Sequence, residues 1–135
     1  MRFENTGSEA VCEYEVPSRY QSWQGMVHGG MVALMLDEAV GWAGWHSGHP
    51  GVTGKLEVRY RLPLDLGERV RVVGRVDRVR RTLVYATAFI DRIRDGARVA
   101  EASATLMAIP TVISQEPSTI PLPEEGAGPI EFASC

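Results

Sequence analysis

Apolar positions recur at every second residue over much of this chain, and in one stretch they crowd together without forming a stripe. Residues 10–16 (Ala-Val-Cys-Glu-Tyr-Glu-Val) alternate weakly and stop at Pro17, which predicts a short first strand. Residues 17–27 carry Pro, Ser, Gln and Gly and read as a loop. From Met31 to Trp45, eleven of fifteen residues are apolar and spread right round a helical projection. This predicts a helix from Gly29–Gly30 to Trp45 or His46, stopped by Gly48, Pro50 and Gly51. A helix apolar on every side must be wrapped on every side, by a curved sheet and, over the remainder, by a second subunit.

The next segment alternates with period two. Val52, Leu56, Val58, Tyr60 and Leu62 share one face with Gly54, and Thr53, Lys55, Glu57, Arg59 and Arg61 share the other. Pro63 to Gly67 turns the chain. Strands follow at 68–79, 83–93 and 98–109, with Val70, Val72, Val76, Ala100, Ala102, Ala104, Leu106 and Ala108 facing the core. Asp95-Gly96 marks a hairpin between the last two, since both residues tolerate positive φ. The class is α+β: one central helix and an antiparallel sheet of five to six strands. Five of the eight prolines lie in residues 110–135, and a tail over 111–135, poorly ordered or draped on the surface, is expected after a domain over 1–110.

Composition narrows the function. At 135 residues there is room for one domain. A net charge of −3 excludes a generally basic nucleic-acid binder, and no aromatic stacking motif accompanies Tyr60, Tyr85 and Phe89. Cys12 and Cys135 make neither a disulfide framework nor a four-ligand zinc site, and His46 and His49 lack further metal ligands nearby, so no metal or cofactor is expected. No apolar run reaches the length of a membrane span, and the N-terminus has no secretory h-region. A cytoplasmic protein that binds no membrane is the expectation. Residues 55–98 hold 12 basic and 6 acidic residues, and thirteen of the fourteen basic residues are arginine. Either solvated strand faces or a phosphate-bearing ligand accounts for this.

Asp37 is the most anomalous residue, a carboxylate mid-helix among Met35, Leu36, Ala39 and Val40. Glu38 lies about 100° round the helix and cannot face the same partner. The second feature is Met26-Val27-His28-Gly29-Gly30. Its glycines admit close backbone approach, and a helix start offers free N–H groups to an oxyanion. Gly29 and Asp37 are about 12 Å apart along the helix, too far to touch one carbonyl within a single chain. Two antiparallel helices across a twofold axis would bring Gly29 of one copy to Asp37 of the other, giving two equivalent sites.

The stretch Gly25-Met-Val-His28-Gly29-Gly30-Met-Val-Ala-Leu-Met-Leu-Asp37-Glu38-Ala resembles the signature of hotdog-fold acyl-CoA thioesterases of the PaaI and 4-hydroxybenzoyl-CoA type. Val52-Thr53-Gly-Lys-Leu-Glu-Val-Arg-Tyr60-Arg-Leu-Pro63, Leu66-Gly67-Glu-Arg-Val and Arg98-Val-Ala-Glu-Ala are similar to the strands that follow in that family. The resemblance implies a helix wrapped by an antiparallel sheet in a dimer, or a dimer of dimers, joined edge to edge. It implies acyl-CoA hydrolysis, with Asp37 as nucleophile or general base, the Gly29 N–H as oxyanion donor from the other subunit, and His28 shaping the pocket. Thr53 matches a polar residue near the attacking water. Substrate contacts are expected from Gly30 and Gln24 and, for the CoA phosphates, from basic side chains such as Lys55, Arg80 and Arg81. Ser22 stands where many members carry Asn or Gln, with Gln21 and Gln24 flanking it. The competing readings are a non-catalytic acyl-CoA sensor and a hydroxyacyl-thioester dehydratase. The carboxylate at 37 argues against the sensor, and the lack of a second His-acid motif argues against the dehydratase.

Overall fold

The structure is a computed structural model, and it describes residues 1–17, 27 and 29–108. The expected tail over 111–135 lies outside these residues. The elements are β1 (Glu4–Asn5), β2 (Ala10–Glu15), α1 (Gly29–His46), β3 (Gly51–Tyr60), β4 (Arg69–Arg80), β5 (Leu83–Arg92) and β6 (Arg98–Ala108). All six strands form one antiparallel sheet in the order β1-β2-β4-β5-β6-β3, so β3 is an edge strand. The two-residue β1 carries no periodicity, and the sequence pattern does not reveal it.

The helix forms where its apolar run demands. Met31, Val32, Met35, Leu36, Ala39, Val40, Trp42, Ala43 and Gly44 are buried against the sheet. Gly48 ends α1 in the left-handed conformation at φ 83°. Its N–H donates to the Trp45 carbonyl, and the His49 N–H donates to the Gly44 carbonyl. Both bonds belong to the Schellman cap, which satisfies the last helical carbonyls.

The inner face of the sheet is built from small residues. Val70 and Val72 on β4, Ala86 and Ala88 on β5, and Ala100, Ala102 and Ala104 on β6 are buried against the helix, with Ile90 and Leu106 filling the wider ends. The closest approach is at Gly74 on β4. A Cβ built there would lie 2.2 Å from the Ala39 carbonyl oxygen. The strand thus carries no side chain where the helix backbone rests.

Two local expectations are corrected. The period-two reading of β3 breaks at a bulge between Thr53 and Lys55, where Gly54 is the extra residue. Thr53 pairs with buried Leu106 and faces the helix alongside Leu56 and Val58. Val52 pairs with exposed Met107 on the outer face and is 42% exposed. An inserted residue exchanges the faces of everything before it. In the β5–β6 connection, Gly96 alone has positive φ, at 72°. Asp95 does not share it. Its carboxylate instead accepts from the Arg92 guanidinium and the Ala97 N–H, and these two donors hold its carboxyl down at about 2.

Gly74→Ala should destabilise the fold by about 3 kcal/mol, because overpacking meets backbone rather than a yielding side chain. Urea unfolding measures this, and a loss below about 1 kcal/mol would mean that the helix can lift off β4.

Candidate active site on the helix flank and the edge strand

Asp37 hangs from the side of α1 that faces the edge strand. The Thr53 hydroxyl donates to its Oδ1 at 2.7 Å. Oδ2 has no hydrogen bond among the described residues. The bulge at Gly54 makes this contact possible, since regular pleating would put Thr53 on the outer face with Lys55. One carboxylate oxygen is therefore oriented and the other left open. Both residues are half-buried, which leaves a route for a reactant.

The helix start is pinned as well. The Tyr60 hydroxyl donates to the Gly29 carbonyl at 2.9 Å, and its ring lies about 3.6 Å from where a Gly29 Cβ would sit. As the first residue of α1, Gly29 has no intrahelical acceptor for its N–H. Gly29 and Gly30 are both exposed. Sequence reading missed Tyr60, which it treated as a face residue of the strand. Gly54 within a strand pattern was the available signal for the bulge.

Glu38 stands about 100° round the helix from Asp37. Burial pushes its carboxyl above the ordinary carboxylate range; the Trp42 indole draws it back, and the charge of Asp37 adds to the rise. The two adjacent acids thus stand in different surroundings, as their angular separation requires.

The expected phosphate contacts lie elsewhere. Lys55 is exposed on the outer face and paired with Glu57 at 3.1 Å. Arg80 and Arg81 are at the tip of the β4–β5 hairpin, and Arg81 has a positive φ of 55°. Arg78, turned outward by a bulge between Val76 and Arg78, lies over the Tyr85 ring. None of these three arginines has an acidic partner among the described residues. His28, Ser22 and Gln24 lie outside the described residues. The same residues hold no cluster of three or more His, Cys, Asp or Glu able to bind a metal. Nor do they include a helix long and apolar enough to cross a membrane.

A single helix packed on a six-stranded antiparallel sheet, with an acid on the helix flank and a glycine start, defines a hotdog-fold protein. Residues 24–97 match the family model of the thioesterase superfamily, and the chain belongs to that family. A protein of Caenorhabditis elegans named as an esterase is 32% identical over 79% of this chain and 64% of its own length. Acyl-coenzyme A thioesterase 13 of Mus musculus is 25% identical over 67% of this chain and 66% of its own. The chain thus spans just under two thirds of these curated relatives. Among solved structures, zebrafish thioesterase superfamily member 2 aligns with a TM-score of 0.73 and 26% identity, covering 78% of each chain. A hypothetical thioesterase of Streptococcus pneumoniae, solved with coenzyme A, shares the fold at a TM-score of 0.74 and 21% identity, covering 79% of this chain and 86% of its own. That protein has also been solved with a threonine, and separately an aspartate, replaced by alanine, at positions sixteen apart.

The raised Glu38 gives a pH signature. A carboxyl whose folded value exceeds its unfolded one favours the fold when protonated and opposes it once ionised. Glu38→Gln should therefore raise the thermal midpoint at pH 7 and leave it unchanged near about pH 3, where both forms are neutral. Equal changes at the two pH values would contradict a carboxyl perturbed by burial.

Proposed function

We propose that this protein hydrolyses acyl-CoA thioesters to a free acid and CoA, at two equivalent sites that each draw on two copies of the chain. The observation that carries this reading is the Thr53–Asp37 hydrogen bond. A carboxylate on the flank of an apolar helix, held by one oxygen and open at the other, is equipped either to take a proton from water or to attack a carbonyl itself. The same spacing of sixteen separates Asp37 from Thr53 and the two substituted residues of the Streptococcus pneumoniae protein.

In the general-base form, Asp37 takes a proton from water as the oxygen bonds to the thioester carbon. The carbonyl oxygen becomes an oxyanion. A free N–H at a helix start stabilises such a charge, and Gly29 supplies one. Collapse breaks the C–S bond, and the departing thiolate takes up the proton. In the nucleophilic form, the Asp37 carboxylate attacks the thioester carbon, the C–S bond breaks to release CoA thiolate, and water opens the resulting mixed anhydride to the free acid and Asp37, its proton passing to the thiolate.

Within one chain Gly29 and Asp37 lie about 12 Å apart along the helix, so the oxyanion donor comes from a second copy. The edge position of β3 and the exposed helix residues Gly29, Gly30 and Leu34 support that assembly. Arg80 and Arg81, without an acidic partner among the described residues, suit the phosphates of CoA.

Asp37→Asn should abolish thiol release from acyl-CoAs, a fall of at least about a thousandfold in kcat, with an unchanged unfolding midpoint. Thr53→Val should lower kcat about tenfold, and Thr53→Ser should restore most of it. Full activity in Asp37→Asn would end this assignment. CoA esters that bind without any thiol release by the wild type would favour the sensor reading.

By size-exclusion chromatography with light scattering, the active species should have at least twice the chain mass. An active monomer would refute the shared site.

A further inference from the structure

Tyr60 ends β3 and contributes little to the core. It is 54% exposed, and its backbone pairs with Ala100 of β6 as any strand residue would. Its hydroxyl nevertheless crosses to α1 and donates to the Gly29 carbonyl at 2.9 Å. The ring touches the helix start as well: a Cβ on Gly29 would stand 3.6 Å from it, an ordinary van der Waals distance.

This bond is one half of a clamp. The Val27 N–H donates to the Leu64 carbonyl at 2.8 Å, so the segment that follows β3 holds the chain on both sides of residue 28. That segment is itself fixed, because the N–H groups of Arg61 and Leu62 both donate to the Val99 carbonyl. The peptide unit carrying the Gly29 N–H joins residues 28 and 29. It therefore comes between the two clamped groups in the chain.

The clamp answers a specific weakness. Two successive glycines begin α1, and glycine leaves the backbone freer than any other residue does. Helix ends also fray. An oxyanion donor is effective only when its direction is set before the charge develops. A hydrogen bond from an exposed hydroxyl adds little to the stability of the fold. What this one supplies is the direction of the turn into the helix.

We propose that Tyr60 is a positioning residue for the reaction: by holding the Gly29 carbonyl, it aims the Gly29 N–H at the thioester oxygen bound beside Asp37 of the other copy. This inference rests on the thioesterase reading above.

The test compares wild type with Tyr60→Phe, which keeps the ring and loses the hydroxyl. The substrate is whichever of acetyl-, octanoyl- and benzoyl-CoA the wild type cleaves fastest. kcat should fall about tenfold with KM unchanged, since a misdirected donor weakens the transition state and not the ground state. Two inhibitors separate this role from a merely structural one. S-trifluoroacetonyl-CoA presents a ketone that adds water or a carboxylate to form a tetrahedral centre, and its Ki should rise about tenfold. S-propyl-CoA has the same chain length and no carbonyl, and its Ki should stay the same. Equal weakening of both inhibitors, or a raised KM with kcat intact, would make Tyr60 a contact of the CoA arm and overturn the inference. A loss of activity accompanied by a lower solution mass would assign Tyr60 to contact between copies and overturn it too. If the wild type cleaves none of these esters, the thioesterase reading fails first and this one with it. If the wild type cleaves one and Tyr60→Phe matches it in every constant, this inference alone fails.

Discussion

The contact between Gly74 and Ala39 sets the depth at which the helix lies on the sheet. With the Ala39 carbonyl seated where a side chain would otherwise stand, α1 rests on β4 almost backbone to backbone. The alanines of β5 and β6 extend that shallow bed across the sheet. Asp37 is two residues from this contact, so its height above the sheet is fixed by it. Thr53 reaches the carboxylate from β3, which is tied to β4 only through β5 and β6. A 2.7 Å hydrogen bond between elements so separated in the sheet depends on the whole stack having one geometry. The small residues of the core thus determine the position of the Asp37 carboxylate.

Much of this was legible in the sequence because it rests on periodicity and on steric punctuation. A run apolar on all sides, closed by Gly48 and Pro50, can only be a wrapped helix, and α1 spans Gly29–His46 as that pattern requires. The alternation of β5 and β6 and the Asp95-Gly96 turn follow equally directly. The less legible part was the face that each residue of β3 presents. Period two is blind to an inserted residue, and Val52-Thr53-Gly54-Lys55 reads as regular until its pairing with β6 is known. Thr53 was singled out through family resemblance, whereas its inward orientation comes from the bulge. The role of Tyr60 could not be read at all, because it joins residues thirty-one apart through a backbone oxygen. Hydrogen bonds of that kind leave no sequence pattern.

The arginine content divides into two populations. On the outer face of the sheet, Arg71 pairs with Glu13, Arg61 and Arg98 with Glu101, and Arg98 also with Asp91. Exposed pairs of this sort contribute about 0–1 kcal/mol each, so they keep the face soluble more than they hold the fold. Arg98 also covers the Phe89 ring, masking an aromatic residue on an otherwise polar surface. Arg80 and Arg81 have no such partners among the described residues. Their free charge is concentrated at one hairpin tip. Seven of the twelve basic residues between 55 and 98 are thus neutralised in place, while Arg78, Arg80 and Arg81 gather at one end of the β4–β5 hairpin, where an anion can meet them.

The same geometry bears on why the protein would work as an assembly. Asp37, Thr53, the open edge of β3 and the uncovered side of α1 all lie along one flank of the molecule. A ten-residue edge strand, with β6 on one side and no strand on the other among the described residues, invites pairing. A helix with exposed glycines and leucine invites close approach by another helix. One twofold association would satisfy both demands and would also carry the Gly29 N–H of each copy toward Asp37 of the other. On this reading, the features that leave a lone chain incomplete are the features that complete two sites at once. Under the proposed shared site, the separation of Asp37 from Gly29 along α1 would leave an isolated chain with only half of a catalytic centre.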